Sequence, residues 1–300
     1  MSDHLLSSTR RKFVQYSTML GVGAQTLLKS GDVKASIFEG KEAAGLGGPW
    51  PEMQYRTLGR TGHESSRLVF GCGATLSGGP HDDLLDAAFD AGVNTFDIGF
   101  KHYYDNAEKN LAPFLKRRRD DIFLISKAYV PTDIDWDEEI TLPQAKAAGK
   151  VSHLGLSTHQ NAANVLAAAT KTGWFDLAMI AITPGGWYDW EDKAVLPDSP
   201  PMKDIRPLLD EARASGIGLV GMKAGRFLAG RAWLGWGNPD AFDKHYDNKL
   251  LKAKLSEFQR SYAFVLEHGL DVVNADMQSM MHLKENFVAA ATSAEYFDIA

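Results

Sequence analysis

Three hundred residues with 44% hydrophobic content suffice for one barrel-sized domain with a sizeable core. A net charge of −6 and a pI near 5.8 leave no broad basic surface, which excludes nucleic acid as an expected partner. The single cysteine, Cys72, excludes an intramolecular disulfide and reads as a small core residue.

At the start of the chain, Ser8-Thr9-Arg10-Arg11-Lys12-Phe13-Val14 resembles a twin-arginine export signal. A weakly apolar stretch to Leu28 follows, and Val33-Lys34-Ala35 offers a small-residue cleavage site. Gln15, Ser17, Thr18 and Gln25 make that stretch too short and too polar for a transmembrane helix, so no integral membrane protein is expected. The resemblance implies residues 1–35 as a signal read by the twin-arginine export machinery, and a periplasmic or exported protein. Without a working signal the protein would stay cytoplasmic. Residues 36–52, rich in glycine and proline, read as a linker, and the folded domain is expected over 53–300.

Within that domain, apolar runs bounded by turn residues predict strands beginning near Leu68, Asn94, Ile122, His153, Leu177, Gly218 and Leu270. Helical spacing separates them at Glu108–Arg117, Ala162–Thr170, Pro207–Ser215 and Ser256–His268. The basic run Lys116–Arg119 reads as a solvated helix end beside its own C-terminal dipole. Alternating strands and helices of this length predict an α/β fold, a parallel sheet closing as a TIM (β/α)8-type barrel. Seven strands are legible where eight are needed. The thirty residues from Lys127 to Ser157 have room for only a poor helix over Thr141–Gly149, so the fourth βα unit is expected to be lost, or distorted into irregular backbone over 129–140.

The chemistry concentrates between Asn94 and Lys127. Two short strands there end in Asp97 and Lys127, and the helix joining them is preceded by Tyr103 and Tyr104. Strand C-termini face the active site of a TIM barrel. An ammonium beside a tyrosine lowers its pKa, and a carboxylate holds the ammonium in place, so Asp97, Lys127 and one tyrosine could protonate a carbonyl oxygen as hydride arrives at its carbon.

The segment resembles the aldo-keto reductase family, NADPH-dependent carbonyl reductases on a TIM barrel. The likeness extends to Met53–Gly62, similar to the family's opening hairpin, to Leu68–Gly73 as first barrel strand, to Gly149–His159 as the family's GKVRxIGxS strand, and to Leu283-Lys284-Glu285-Asn286 in the last helix. It implies Asp97, Lys127 and Tyr104 or Tyr103 as catalytic residues. In the family the tyrosine stands five positions after the aspartate, which lands here on His102, whereas counting back from Glu108 favours Tyr104. NADP is the implied cofactor, with Ser157 on the nicotinamide carboxamide, Ser279 and Asn286 near the adenosine phosphates, and Lys223 as a cation offsetting Asp276. No GxGxxG is present, which speaks against a Rossmann domain.

The histidine that ends the family's fourth strand has no counterpart; His102 and His159 are the available substitutes, though each reads better as an ordinary loop histidine bonded to backbone or water. The implied function is an NADP-dependent oxidoreductase acting on a small aldehyde, ketone or alcohol. The alternatives are a catalytically impaired NADP- or ligand-binding relative and a metal-dependent isomerase or hydrolase, the last without any HxH or HExxH spacing. Aromatic loops at Pro184–Trp190 and Gly230–Trp236 suit a sugar-like or apolar carbonyl compound, or simply cover the rim.

Overall fold

The computed structural model describes residues 49–99, 101–127, 142–230 and 237–297, all within one compact unit, 43–300. The expected export signal, the stretch 129–140, and Trp233 and Trp236 lie outside the described residues. Among the described residues no helix is long and apolar enough to cross a membrane.

In chain order, a hairpin of β1 (Tyr55–Thr57) and β2 (Glu64–Ser66) comes first, followed by β3 (Leu68–Gly71), α1 (Cys72–Ser77) and α2 (Asp82–Asp90). Then come β4 (Thr95–Asp97), α3 (Lys101–Tyr104), α4 (Ala107–Arg118), β5 (Phe123–Ile125) and α5 (Leu142–Ala147). Next are β6 (Gly155–Thr158), α6 (Ala162–Thr172), β7 (Leu177–Thr183), a hairpin extension of β8 (Gly186–Asp189) and β9 (Ala194–Val195), and α7 (Met202–Ala214). The chain ends with β10 (Gly218–Met222), α8 (Asn248–Lys252), α9 (Glu257–Glu267), β11 (Val272–Asp276) and α10 (Met280–Thr292).

Parallel pairing runs β5-β4-β3-β11-β10-β7-β6, a TIM-barrel-type arrangement of seven strands at the expected positions. β5 and β6 are the two ends of this run and share no ladder among the described residues. The Phe123 ring bridges the seam at the base, stacked at 4.7 Å on His63 and at 5.7 Å on His153.

Strand parity builds two cores. Val69, Met179, Ala181, Val220, Met222 and Val272 point into the barrel, while Phe70, Phe96, Ile180, Leu219 and Val273 point out to the helices. Burial on both faces explains the unbroken apolar runs of β7 and β10. Leu58, fully buried, plugs the base of the barrel. Its neighbour Gly59, at φ 49°, lies so close to Gly218 that no side chain would fit.

One helix starts well before its expected boundary, and another matches it. α7 starts at Met202 rather than Pro207, because Met202, Ile205, Leu209 and Ala212 form one buried stripe that outweighs the hydrogen bond lost to the interior proline. α9 keeps the expected span, fixed by a capping box of Ser256 and Gln259. Trp50, within the stretch read as linker, packs edge-on against Phe287 of α10 at 4.8 Å.

Candidate active site

At the C-terminal ends of the strands, Asp97 lies opposite Gly71 on one side and Ile125 on the other. Lys127 follows Ile125 by two residues and so faces the same way. Its Nζ donates to Asp97 Oδ1. The other carboxylate oxygen accepts from Asn274 Nδ2 of β11 at 2.8 Å. Asp97 is 7% exposed, and each oxygen has a partner, as a buried carboxylate requires. Asn274 reaches it by crossing in front of Gly71, where an added Cβ would stand 2.8 Å from Asn274 Oδ1. That Oδ1 is itself buried without a hydrogen-bond partner.

The ring of Tyr104 is clamped between two glycines. A Cβ on Gly73 would meet Tyr104 Cε1 at 2.7 Å, and one on Gly99 would overlap the opposite edge of the ring. Tyr103 is 67% exposed, and its ring meets His102, also exposed, at 5.1 Å. Tyr104 is thus the tyrosine of the mouth. Its pKa is raised, first by burial and then by the charges of Asp97 and Asp276. The lowering expected from Lys127 is not what the structure gives, because that ammonium is turned onto Asp97 and two carboxylates oppose any phenolate. Tyr104 is held in its protonated form.

A Gly99→Ala substitution is expected to expel the Tyr104 ring while leaving the fold intact. Nitration by tetranitromethane, mapped by mass spectrometry, should rise at Tyr104 and stay constant at exposed Tyr103; unchanged Tyr104 reactivity would refute the clamp.

On the far side of the mouth stand Lys223, His159 and Trp190. Lys223 Nζ lies 4.4 Å from the centroid of the Trp190 ring, and His159 meets the same indole at 5.9 Å. Burial, then the charges of Lys223 and Lys127, push the His159 pKa down to about 4, so the ring is neutral at neutral pH. Lys223 also has a lowered pKa, chiefly from burial, opposed by Asp276. Among the described residues no three His, Cys, Asp or Glu are grouped as a metal site.

The other expected cofactor residues are more dispersed. Ser157 is exposed on β6, paired with Met179 of β7. Ser279 caps α10, accepting from the His282 N–H at 3.2 Å, and lines a cleft with His81, Asp82 and Gln278. Asn286 is buried in α10, and its neighbour Glu285 accepts from Ser256 Oγ. Asp276 accepts from Thr75 Oγ1 at 2.6 Å and from Gln278 Nε2 at 3.0 Å. Asn274 is the site residue that sequence reasoning overlooked. Its signal was an inward-parity amide in an otherwise apolar strand, Val272-Val273-Asn274.

No protein-family model matches the chain, and no curated protein matches it. Solved structures do. A structure from Pseudomonas aeruginosa assigned to the aldo-keto reductases is similar at 19% identity over 80% of this chain and 94% of its own, with a TM-score of 0.52. An aldo-keto reductase from Bacillus halodurans, in its apo form, matches at 18% identity over 81% and 94%, with a TM-score of 0.54. A third, described as a 2,5-diketo-D-gluconic acid reductase B, matches at 19% over 80% and 86%, with a TM-score of 0.53. At these identities the likeness is one of architecture: the chain has the fold found in aldo-keto reductase structures.

Proposed function

We propose that the protein is an NADP-dependent oxidoreductase that reduces an aldehyde or ketone, or oxidises the corresponding alcohol. The observation that carries this reading is the barrel mouth itself, where Asp97 holds Lys127 and Asn274 while a protonated Tyr104 is clamped by Gly73 and Gly99. Tyr104 is the proton donor to the carbonyl oxygen. Lys127 and Asp97 fix the charge of the mouth, and neutral His159 supplies a hydrogen bond at the opposite rim.

The residues fit a dinucleotide in part. The cleft beside Ser279 opens at the N-terminus of α10, whose leading N–H groups suit an anion. Asp276, Asp82 and Asp83 oppose it. Ser157, Ser279 and Asn286 are the residues proposed to hold the cofactor. When bound, NADPH supplies the hydride. As a further part of the proposal, the segment resembling a twin-arginine signal would carry the protein out of the cytoplasm, where it stays if the signal does not work, and a small-molecule substrate enters at the mouth.

A second reading is favoured by one feature, the absence of any histidine between Lys127 and His153: the protein binds nucleotide or ligand without turnover. Quenching or enhancement of NADPH fluorescence on adding protein measures binding, and NADPH consumption with a panel of aldehydes and ketones measures chemistry. Binding with turnover is expected. Binding alone selects the second reading, and no binding overturns both.

A further inference from the structure

We infer that Lys223 is a nucleophilic amine that forms an imine with the carbonyl substrate, giving this mouth a Schiff-base activity in addition to hydride transfer. The inference rests on the reading that a carbonyl compound occupies the barrel mouth.

Lys223 stands immediately after β10, whose last residue Met222 points into the barrel. Strict alternation would turn Lys223 outward toward the helices. Instead its backbone takes a left-handed φ of 67°, a conformation that costs energy in a non-glycine residue and persists only where the surroundings enforce it. The turn lays the side chain across the mouth, with Nζ over the face of Trp190.

The two lysines of the mouth have opposite situations. Lys127 is occupied by Asp97, to which its Nζ is bonded. Lys223 has no carboxylate within ion-pair distance among the described residues. Its Nζ lies over the Trp190 face, a contact that by itself favours the ammonium, while burial and the charges of Arg226 and Lys127 favour the neutral amine. Desolvation and neighbouring cations are the conditions under which an amine loses its proton near neutral pH and becomes nucleophilic. Asp276 and Asp97 act against this, yet burial outweighs them and the Lys223 pKa lies below the ordinary lysine value.

The chemistry balances without a redox partner. The neutral Lys223 amine attacks the carbonyl carbon, the C–N bond forms, and the π pair of the C=O bond moves to oxygen. Two protons reach that oxygen, one from the amine and one from an acid of the mouth, Lys127 or Tyr104. It leaves as water, and the carbon stays joined to Lys223 as a protonated imine. The substrate class is an aldehyde or unhindered ketone.

Reductive trapping tests this on the full chain. Brief exposure to acetaldehyde with sodium cyanoborohydride converts an imine to an irreversible ethylamine, which peptide mapping locates. Lys223 is expected to be labelled first and faster than the other lysines near pH 7, because burial lowers its pKa and enlarges its neutral fraction. Lys223→Arg, which keeps the cation over Trp190, should lose the fast phase. Labelling of wild-type protein spread evenly over its lysines overturns the inference without any variant. NADPH consumption with the same aldehyde is measured in parallel. Turnover without a Lys223 adduct removes the imine and leaves hydride transfer standing, whereas an adduct without turnover does the reverse.

Discussion

Replacing Tyr104 with phenylalanine is expected to lower NADPH-dependent carbonyl reduction by about 10²–10⁴-fold, the range typical of a positioned general acid, with NADPH binding retained. The substitution removes one oxygen and leaves the ring between Gly73 and Gly99, so packing is unchanged and the loss reports chemistry. Tyr103→Phe, at an exposed position, should leave the rate as it is. Steady-state rates of the two variants decide the matter, and equal activities would remove Tyr104 from the mechanism. Lys127→Met should also abolish turnover, but for a different reason, because it strands the Asp97 carboxylate in a buried position with only Asn274 as partner.

The largest expected loss of stability lies at the opposite end of the barrel. Arg67, 2% exposed at the junction of β2 and β3, bonds Glu267 at 2.5 Å, Ser293 Oγ at 3.2 Å and the Leu266 carbonyl at 2.9 Å. One side chain thus ties the base of β3 to the end of α9 and to the segment after α10. Glu267→Ala leaves a buried guanidinium without its counter-ion and is expected to cost ~3–5 kcal/mol. In a domain of this size that corresponds to a fall in Tm of roughly 10 °C. The double substitution Arg67→Met with Glu267→Leu should recover most of it, since the desolvation cost disappears with both charges. Thermal unfolding of the single and double variants checks both statements. A double variant no more stable than Glu267→Ala would contradict them.

β3, β7 and β10 were legible because each is an apolar run buried on both faces, a pattern that needs no knowledge of neighbours, whereas β5 is only half-buried and β6 has two exposed residues. Asp97 and Lys127 were legible for a related reason: both fall where such runs stop. Other features depend on register. Asn274 meets Asp97 across 177 positions of sequence, and only the β4-β3-β11 order, together with the absent side chain at Gly71, brings them together. The preference between Tyr103 and Tyr104 likewise depends on Gly73, whose role as the wall of a ring slot no local pattern reveals. The hairpin of β8 and β9, which brings Trp190 over Lys223, had been read only as an aromatic loop. The electrostatics changed sign between sequence and structure because burial and the two carboxylates around Tyr104 outweigh a lysine whose charge is already spent on Asp97.

The strand order has a mechanical consequence. A closed barrel behaves as a hoop, in which every stave is braced by two others, whereas among the described residues the run from β5 to β6 is an arc with two ends. Stiffness in an arc is greatest at its middle, where β3, β11 and β10 lie, and falls toward the tips. Asn274 is rooted in the stiff middle, while Lys127 follows the last residue of one tip and His159 follows the last residue of the other. The carboxylate clamp is therefore tied through Asn274 to the middle of the arc, and Lys127 and His159 ride on the two staves that are laddered on one side only among the described residues.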